Sequence, residues 1–169
     1  LVRLRGMFAL AIWNPDDRTL FLARDRFGIK PVYVASGDGW FLFASEVRAL
    51  VASGLVAPVL VLDGLWNYLT YETVPGPGTL IAGITMLDPG STMVVDPHGR
   101  AHRAIYWHLA GAAQSVGAIS RSDCVERVRS LLAESVACHL VSDVPVGAFL
   151  SGGIDSSAVV ALMREAGHT

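Results

Sequence analysis

Apolar, β-branched and aromatic residues fall in short runs over the first part of the chain, at 7–13, 19–23, 31–35 and 40–44. Turn chemistry separates them, supplied by Asn14-Pro15-Asp16-Asp17 and by Ser36-Gly37-Asp38-Gly39. Connections this short predict antiparallel strands. Residues 45–51 read as a helical turn, and Asp63 as the N-cap of a short helix through position 69. Pro75-Gly76-Pro77-Gly78 breaks regular structure. Strands are predicted to resume at 79–86 and 91–95 around Asp88-Pro89-Gly90, and a last one to end near Tyr106-Trp107.

The period then changes. The stretch 110–120 is rich in Gly, Ala and Ser without an apolar repeat, which marks a linker. Beyond it Val125, Val128, Leu132, Val136 and Leu140 follow helical spacing, and Asp123 with Glu126 resembles a capping box, so one amphipathic helix is predicted over 123–140. The nearly continuous apolar run 144–150 suits a strand buried on both faces of a parallel sheet, with Pro145 near its start. A second helix is predicted over 156–165, with Val159, Val160 and Met163 on one side. The pattern thus divides the chain at the linker into a strand-rich α+β part and the opening of an α/β part.

Composition narrows the function classes. A 52% hydrophobic content across 169 residues can fill a core, and a net charge of -2 offers no basic field for nucleic acid or an anionic membrane. Apolar runs such as 55–62 are far shorter than the roughly 20 residues of a spanning helix. Cys124 and Cys138 share one predicted helix, where about 1.5 Å of rise per residue separates them by about 21 Å, beyond the roughly 7 Å a disulfide tolerates. Two unpaired thiols suit a reducing cytoplasm. Leu1 is not an initiator and a strand pattern is soon under way, so an internal stretch of a longer chain is expected. His98 and His102 are four apart in a turn-and-strand region, where that spacing does not align metal ligands, and a solvated loop is the expectation.

Chemistry concentrates in Phe149-Leu150-Ser151-Gly152-Gly153-Ile154-Asp155-Ser156-Ser157, which joins the predicted buried strand to the second helix. Such a turn gathers unpaired N–H groups at a helix N-terminus, where partial positive charge favours a phosphate. Gly152 and Gly153 let a bulky oxyanion approach the backbone, Ser151, Ser156 and Ser157 add hydroxyl donors, and Asp155 is a hard oxygen ligand for Mg²⁺. A Walker A loop is excluded, because no Lys follows the glycines. The alternative is a plain Gly-Gly turn in which Asp155 and Ser156 only cap the helix.

The loop resembles the SGGxDSS motif of ATP pyrophosphatases. Around it, Ser142-Asp143-Val144-Pro145-Val146-Gly147, Arg5-Gly6-Met7-Phe8-Ala9, the run from Ala23-Arg24-Asp25-Arg26 through Phe27-Gly28-Ile29-Lys30-Pro31, Phe43-Ala44-Ser45-Glu46 and Tyr106-Trp107 resemble stretches of glutamine-hydrolysing asparagine synthetases. The resemblance implies the C-terminal part of an N-terminal-nucleophile (class II) glutaminase αββα domain over 1–107, a linker over 108–120, and the start of an adenine-nucleotide α-hydrolase-like (ATP pyrophosphatase) α/β domain over 121–169. It implies glutamine, aspartate and ATP as substrates with Mg²⁺ as cofactor, a cytoplasmic location, no nucleic acid or membrane partner, and allows a homodimer. Carried over, Ser151, Gly152, Gly153, Asp155, Ser156 and Ser157 meet pyrophosphate, Asp155 its metal, and Phe149 the nucleotide, where relatives often carry Leu.

The family's glutaminase also needs a first-residue cysteine, acting through its thiolate. That position precedes the segment matching Leu1, and neither Cys124 nor Cys138 can replace it from beyond the linker, so this stretch by itself holds no catalytic nucleophile and is expected to be inactive. Arg24-Asp25-Arg26 is expected either to support the interface between the two domains or to form a surface ion pair at an exposed strand end. Two other readings stand beside the leading one. They are another amide-forming relative, such as a β-lactam synthetase or an antibiotic or peptide amidotransferase, and a degenerate non-catalytic module, against which the intact loop argues.

Overall fold

The structure, a computed structural model, describes residues 1–113, 117 and 119–167. It divides into two units, residues 1–114 and 115–169.

In the first unit, β1 (Ala9–Asn14), β2 (Thr19–Arg24), β6 (Ser91–Val95) and β7 (Ala101–Ile105) form one sheet in the order β1-β2-β6-β7. A second sheet has the order β4-β3-β5, from β3 (Tyr33–Gly37), β4 (Trp40–Ala44) and β5 (Thr85–Met86). All pairings are antiparallel, as the short turns predict. Register fixes which side chains face inward: Leu22 pairs with Met93 and Leu20 with Val95, and these side chains meet Val34, Phe41, Val32 and Leu87 between the two sheets. Leu22 and Leu87 are fully buried, each contributing about 1.5–3 kcal/mol by leaving water.

Because side chains alternate along a strand, the opposite face of the second sheet carries Tyr33, Ala35, Trp40, Leu42 and Ala44. They pack on Leu50 and Val51 of α1 (Val47–Ala52) and on Val56, Ile81 and Ile84. Sheet, sheet and helix thus form successive layers.

α2 (Leu62–Tyr71) is capped two residues before the predicted position. Its N-cap is Val61, without a side-chain hydrogen bond, and Asp63 lies in the first turn, where its charge complements the helix dipole. The expected strand over 79–86 is reduced to β5, because the Thr79 hydroxyl donates to the Ile81 and Ile84 carbonyls and bends the segment, leaving only an isolated bridge from Ile81 to Leu60. Within the stretch read as linker, Leu109–Ala113 forms a short helix, α3, while residues 114–116 and 118 lie outside the described residues.

The second unit contains α4 (Arg121–His139) and α5 (Ile154–Glu165). The cap of α4 is Ser120 rather than Asp123: the Ser120 hydroxyl accepts the Asp123 N–H at 3.2 Å. A groove between the helices is lined by Leu132, Val136, Val159 and Met163, and an exposed Arg129–Glu165 ion pair at 2.8 Å also links the two helices. The predicted strand over 144–150 does not form. A parallel strand exists only when hydrogen-bonded to a neighbour, and no strand lies beside it among the described residues of this unit. Val144, Phe149 and Leu150 are accordingly exposed. The mixed α/β character and antiparallel sheets of the first unit stand, whereas no parallel sheet occurs among the described residues.

Candidate functional site

Gly153 is the N-cap of α5, with extended backbone and no side chain accepting from the helix end. Ser157 N–H is the first to close a helical turn, on the Gly153 carbonyl at 3.0 Å. The N–H groups of Ile154, Asp155 and Ser156 are therefore the orphan donors that every helix start leaves, and they sit on an exposed turn. Gly152 has φ +81°, and a Cβ there would meet nothing within 4 Å, so its glycine answers to backbone conformation rather than to crowding.

The hydroxyls are organised as well. Ser156 Oγ donates to the Gly153 carbonyl at 3.1 Å and lies 3.1 Å from Ser151 Oγ, which leaves Ser151 as the donor between the two hydroxyls. Asp155 stands exposed in the first turn, and Phe149, two residues ahead of the turn, is fully exposed. Ser151, Gly152, Gly153, Asp155, Ser156 and Ser157 are thus brought together in one turn. Orphan N–H groups, a positive dipole end and hydroxyls can receive an oxyanion. The adjacent exposed carboxylate is the donor type a hard divalent cation takes, so the set fits a metal-bound polyphosphate.

The first unit contains a polar node that sequence reading misjudged. Arg24 and Asp25 are 5% and 2% exposed, so they are not a surface ion pair at a strand end. The Arg24 guanidinium donates to the carbonyls of Leu87 at 2.6 Å, Lys30 at 2.9 Å and Gly28. The Asp25 carboxylate accepts the N–H groups of Phe27, Ile29 and Lys30 at 3.1, 3.1 and 2.9 Å. Burial pushes the Asp25 carboxyl upward, but those N–H groups outweigh it and hold the pKa below the ordinary carboxylate value. Arg26 donates to the Leu4 and Val2 carbonyls, and Tyr106 hydroxyl to that of Arg24 at 2.9 Å. A charged pair set between the apolar run of β2 and a Phe-Gly turn was the available sequence signal.

The remaining candidates separate. Cys124 and Cys138 are free and exposed on α4. His98 sits in the β6–β7 turn, where its N–H donates to Asp96, and His102 lies on β7.

A family model described as glutamine amidotransferase domain matches residues 1–107. The chain belongs to the glutamine amidotransferase domain family. Residues 127–169, which include the turn, match a second model, described as asparagine synthase. Asparagine synthetase [glutamine-hydrolyzing] 1 of Bacillus subtilis (strain 168) is 39% identical over 96% of this chain and 25% of its own length. Asparagine synthetase [glutamine-hydrolyzing] 3 of the same organism is 37% identical over 98% of the chain and 26% of its own length. Amidase chyE of Penicillium rubens is 34% identical over 96% of the chain and 24% of its own length. The chain therefore spans about a quarter of the length of the curated relatives it matches. Both matches lie in one chain in the order glutamine amidotransferase, then asparagine synthase. Among the described residues no helix is long and apolar enough to cross a membrane.

Proposed function

We propose that the chain is part of a cytoplasmic glutamine-hydrolysing asparagine synthetase: 1–107 belongs to its N-terminal-nucleophile glutaminase domain, 108–120 is a linker, and 121–169 opens its ATP pyrophosphatase domain. The observation that carries this reading is the exposed, uncapped start of α5 at Ser151-Gly152-Gly153, inside the segment matching the asparagine synthase model and downstream of a glutamine amidotransferase half.

In this reading the side-chain carboxylate of aspartate attacks the α-phosphorus of ATP, pyrophosphate leaves, and glutamine-derived ammonia displaces AMP from the β-aspartyl adenylate. Charge grows on the leaving pyrophosphate, and fixed donors there lower the barrier because they need no reorganisation. The N–H groups of Ile154, Asp155 and Ser156 are those donors, and the hydroxyls of Ser151, Ser156 and Ser157 add to them, those of Ser151 and Ser156 after turning from their present acceptors. Gly152 and Gly153 hold the turn that presents them, and Phe149 lies against the nucleotide. Asp155 would hold Mg²⁺, which when bound supplies neutralising charge to the polyphosphate.

Product analysis of the protein that carries this chain, supplied with aspartate, ATP and glutamine, tests the reading. Asparagine, AMP and pyrophosphate should appear in equal amounts. Formation of ADP and phosphate instead would remove the α-phosphorus attack, and with it the role of the turn.

A further inference from the structure

Three hairpin turns of the first unit, β1–β2, β3–β4 and β6–β7, converge on one cleft of about 370 Å³, within the range of small-molecule sites. It opens at the Thr19 end of β2, while the Arg24–Asp25 node occupies the other end of that strand. Its base is the core itself: Val95 is buried, and Leu20 and Phe41 pack against the same cluster. Trp13 and Trp40 supply aromatic sides. Trp13 is 58% exposed, a large apolar surface left in water. Trp40 lies against Gly37, where a Cβ would come 2.4 Å from Trp40 Cζ2, so a glycine makes room for the ring.

Two opposite charges line this cleft without meeting. Arg18, at φ +52° in the β1–β2 turn, has no bonded or ion-paired partner among the described residues. Asp96 Oδ1 accepts the N–H groups of His98 and Arg100 at 2.8 and 2.9 Å, which leaves Oδ2 with Arg100 Nε at 3.8 Å, beyond hydrogen-bond reach. The Arg100 and His98 N–H groups hold the Asp96 pKa below the ordinary carboxylate value, so the group is an anion at neutral pH. A free guanidinium, a free carboxylate oxygen and an apolar, aromatic base together complement a zwitterion with a flat apolar side chain. We propose that the cleft binds a free α-amino acid with an aromatic side chain, its carboxylate on Arg18, its ammonium on Asp96 and its ring against Trp13 and Trp40. A guanidinium accommodates a carboxylate through two parallel N–H bonds, and one engaged nowhere else gives up no protein partner to do so. A ligand with a single charge satisfies one of the two groups. The inference concerns the first unit alone and does not depend on the reaction proposed above.

Titration of phenylalanine into the protein that carries this chain, labelled with fluorotryptophan and followed by fluorine nuclear magnetic resonance beside calorimetry, tests it. The Trp13 and Trp40 resonances should shift to saturation, and those of Trp66 and Trp107 should stay in place. Phenylpropanoate, which lacks the ammonium, and phenylethylamine, which lacks the carboxylate, should each bind about 10- to 100-fold more weakly. Arg18→Gly suits the left-handed backbone while removing the guanidinium, and should weaken phenylalanine by a similar factor and leave phenylethylamine unchanged. Asp96→Asn keeps the Oδ1 acceptor that holds the turn, and should weaken phenylalanine while sparing phenylpropanoate. No saturable shift at Trp13 and Trp40 up to about 10 mM, equal affinity for the three ligands, or parent affinity for phenylalanine in either variant would overturn the site.

Discussion

Arg24 and Asp25 are consecutive, oppositely charged and buried, and each directs its side chain to the backbone of the loop that follows: Arg24 to the Lys30 and Gly28 carbonyls, Asp25 to the Phe27, Ile29 and Lys30 N–H groups. A loop without a strand partner must still satisfy its backbone, and here one cation and one anion do so. Arg24 reaches further, to the Leu87 carbonyl, which ties the loop to the end of β5. The Asp25 carbonyl accepts the Gly90 N–H, which brings in the turn before β6. The node therefore joins the two sheets beside their shared core.

Arg24→Lys should be nearly as damaging as Arg24→Ala, each destabilising the first unit by about 3 kcal/mol or more, because carbonyls that face a guanidinium fork are left unpaired. Urea unfolding of the chain measures both. A Lys variant within about 1 kcal/mol of the parent would show that charge rather than fork geometry holds the loop.

Asp25 sets an acid limit. Its folded pKa lies below the ordinary carboxylate value, so its contribution is complete above about pH 4 and is lost as pH falls through the folded pKa. Unfolding midpoints should be flat with respect to this group near neutrality and fall in the acid limb. Asp25→Asn should be less stable at neutral pH and show a shallower acid limb. A parallel limb in the variant would place the acid sensitivity elsewhere.

Two glycines separate crowding from backbone strain. Gly28 has φ +63°, and a Cβ there would lie 2.8 Å from both Arg24 Cζ and Pro89 Cγ, whereas Gly54 has φ +75° with nothing within 4 Å. Gly54→Ala should cost about 1–2 kcal/mol, the left-handed penalty alone. Gly28→Ala should cost at least about twice that, since the guanidinium must also move. Equal losses in thermal or urea melts would mean that the node yields to a methyl group.

What the sequence disclosed followed from local chemistry. The strands at 40–44 and 91–95 match the observed β4 and β6 residue for residue, because turn residues bound both runs. The turn ahead of α5 was legible because Gly152 and Gly153 end the apolar run and Asp155 suits the first turn of a helix. Elements that depend on distant partners were not. The Arg24 node is written as an ordinary charge pair, and only the fold brings the Leu87 carbonyl to it across 63 residues. The run 144–150 has the composition of a buried strand, but composition supplies no ladder. Ser120 replaced Asp123 as the cap because several adjacent polar residues could serve, and backbone geometry chose among them.

Asp155→Asn in the protein that carries this chain should slow aspartate activation while sparing glutamine hydrolysis. Asp155 is the sole carboxylate between Ser151 and Ser157, exposed in the first turn beside orphan N–H groups, and so is the group in this turn able to hold a hard cation against a polyphosphate. Asn keeps its size and suits a helix start, so the fold should survive. What disappears is the charge. Losing one or two charge-assisted contacts of about 1.5–3 kcal/mol each should slow adenylation roughly tenfold to ten-thousandfold. Under the proposed function glutamine hydrolysis draws on the other domain and its own nucleophile, so glutamate should continue to form while ammonia goes unused. Aspartate-dependent ATP–pyrophosphate exchange, measured beside glutamate release, reads both halves. Exchange at the parent rate would reduce Asp155 to a favourable charge in the first turn, and loss of both activities together would mean that the substitution acts through folding.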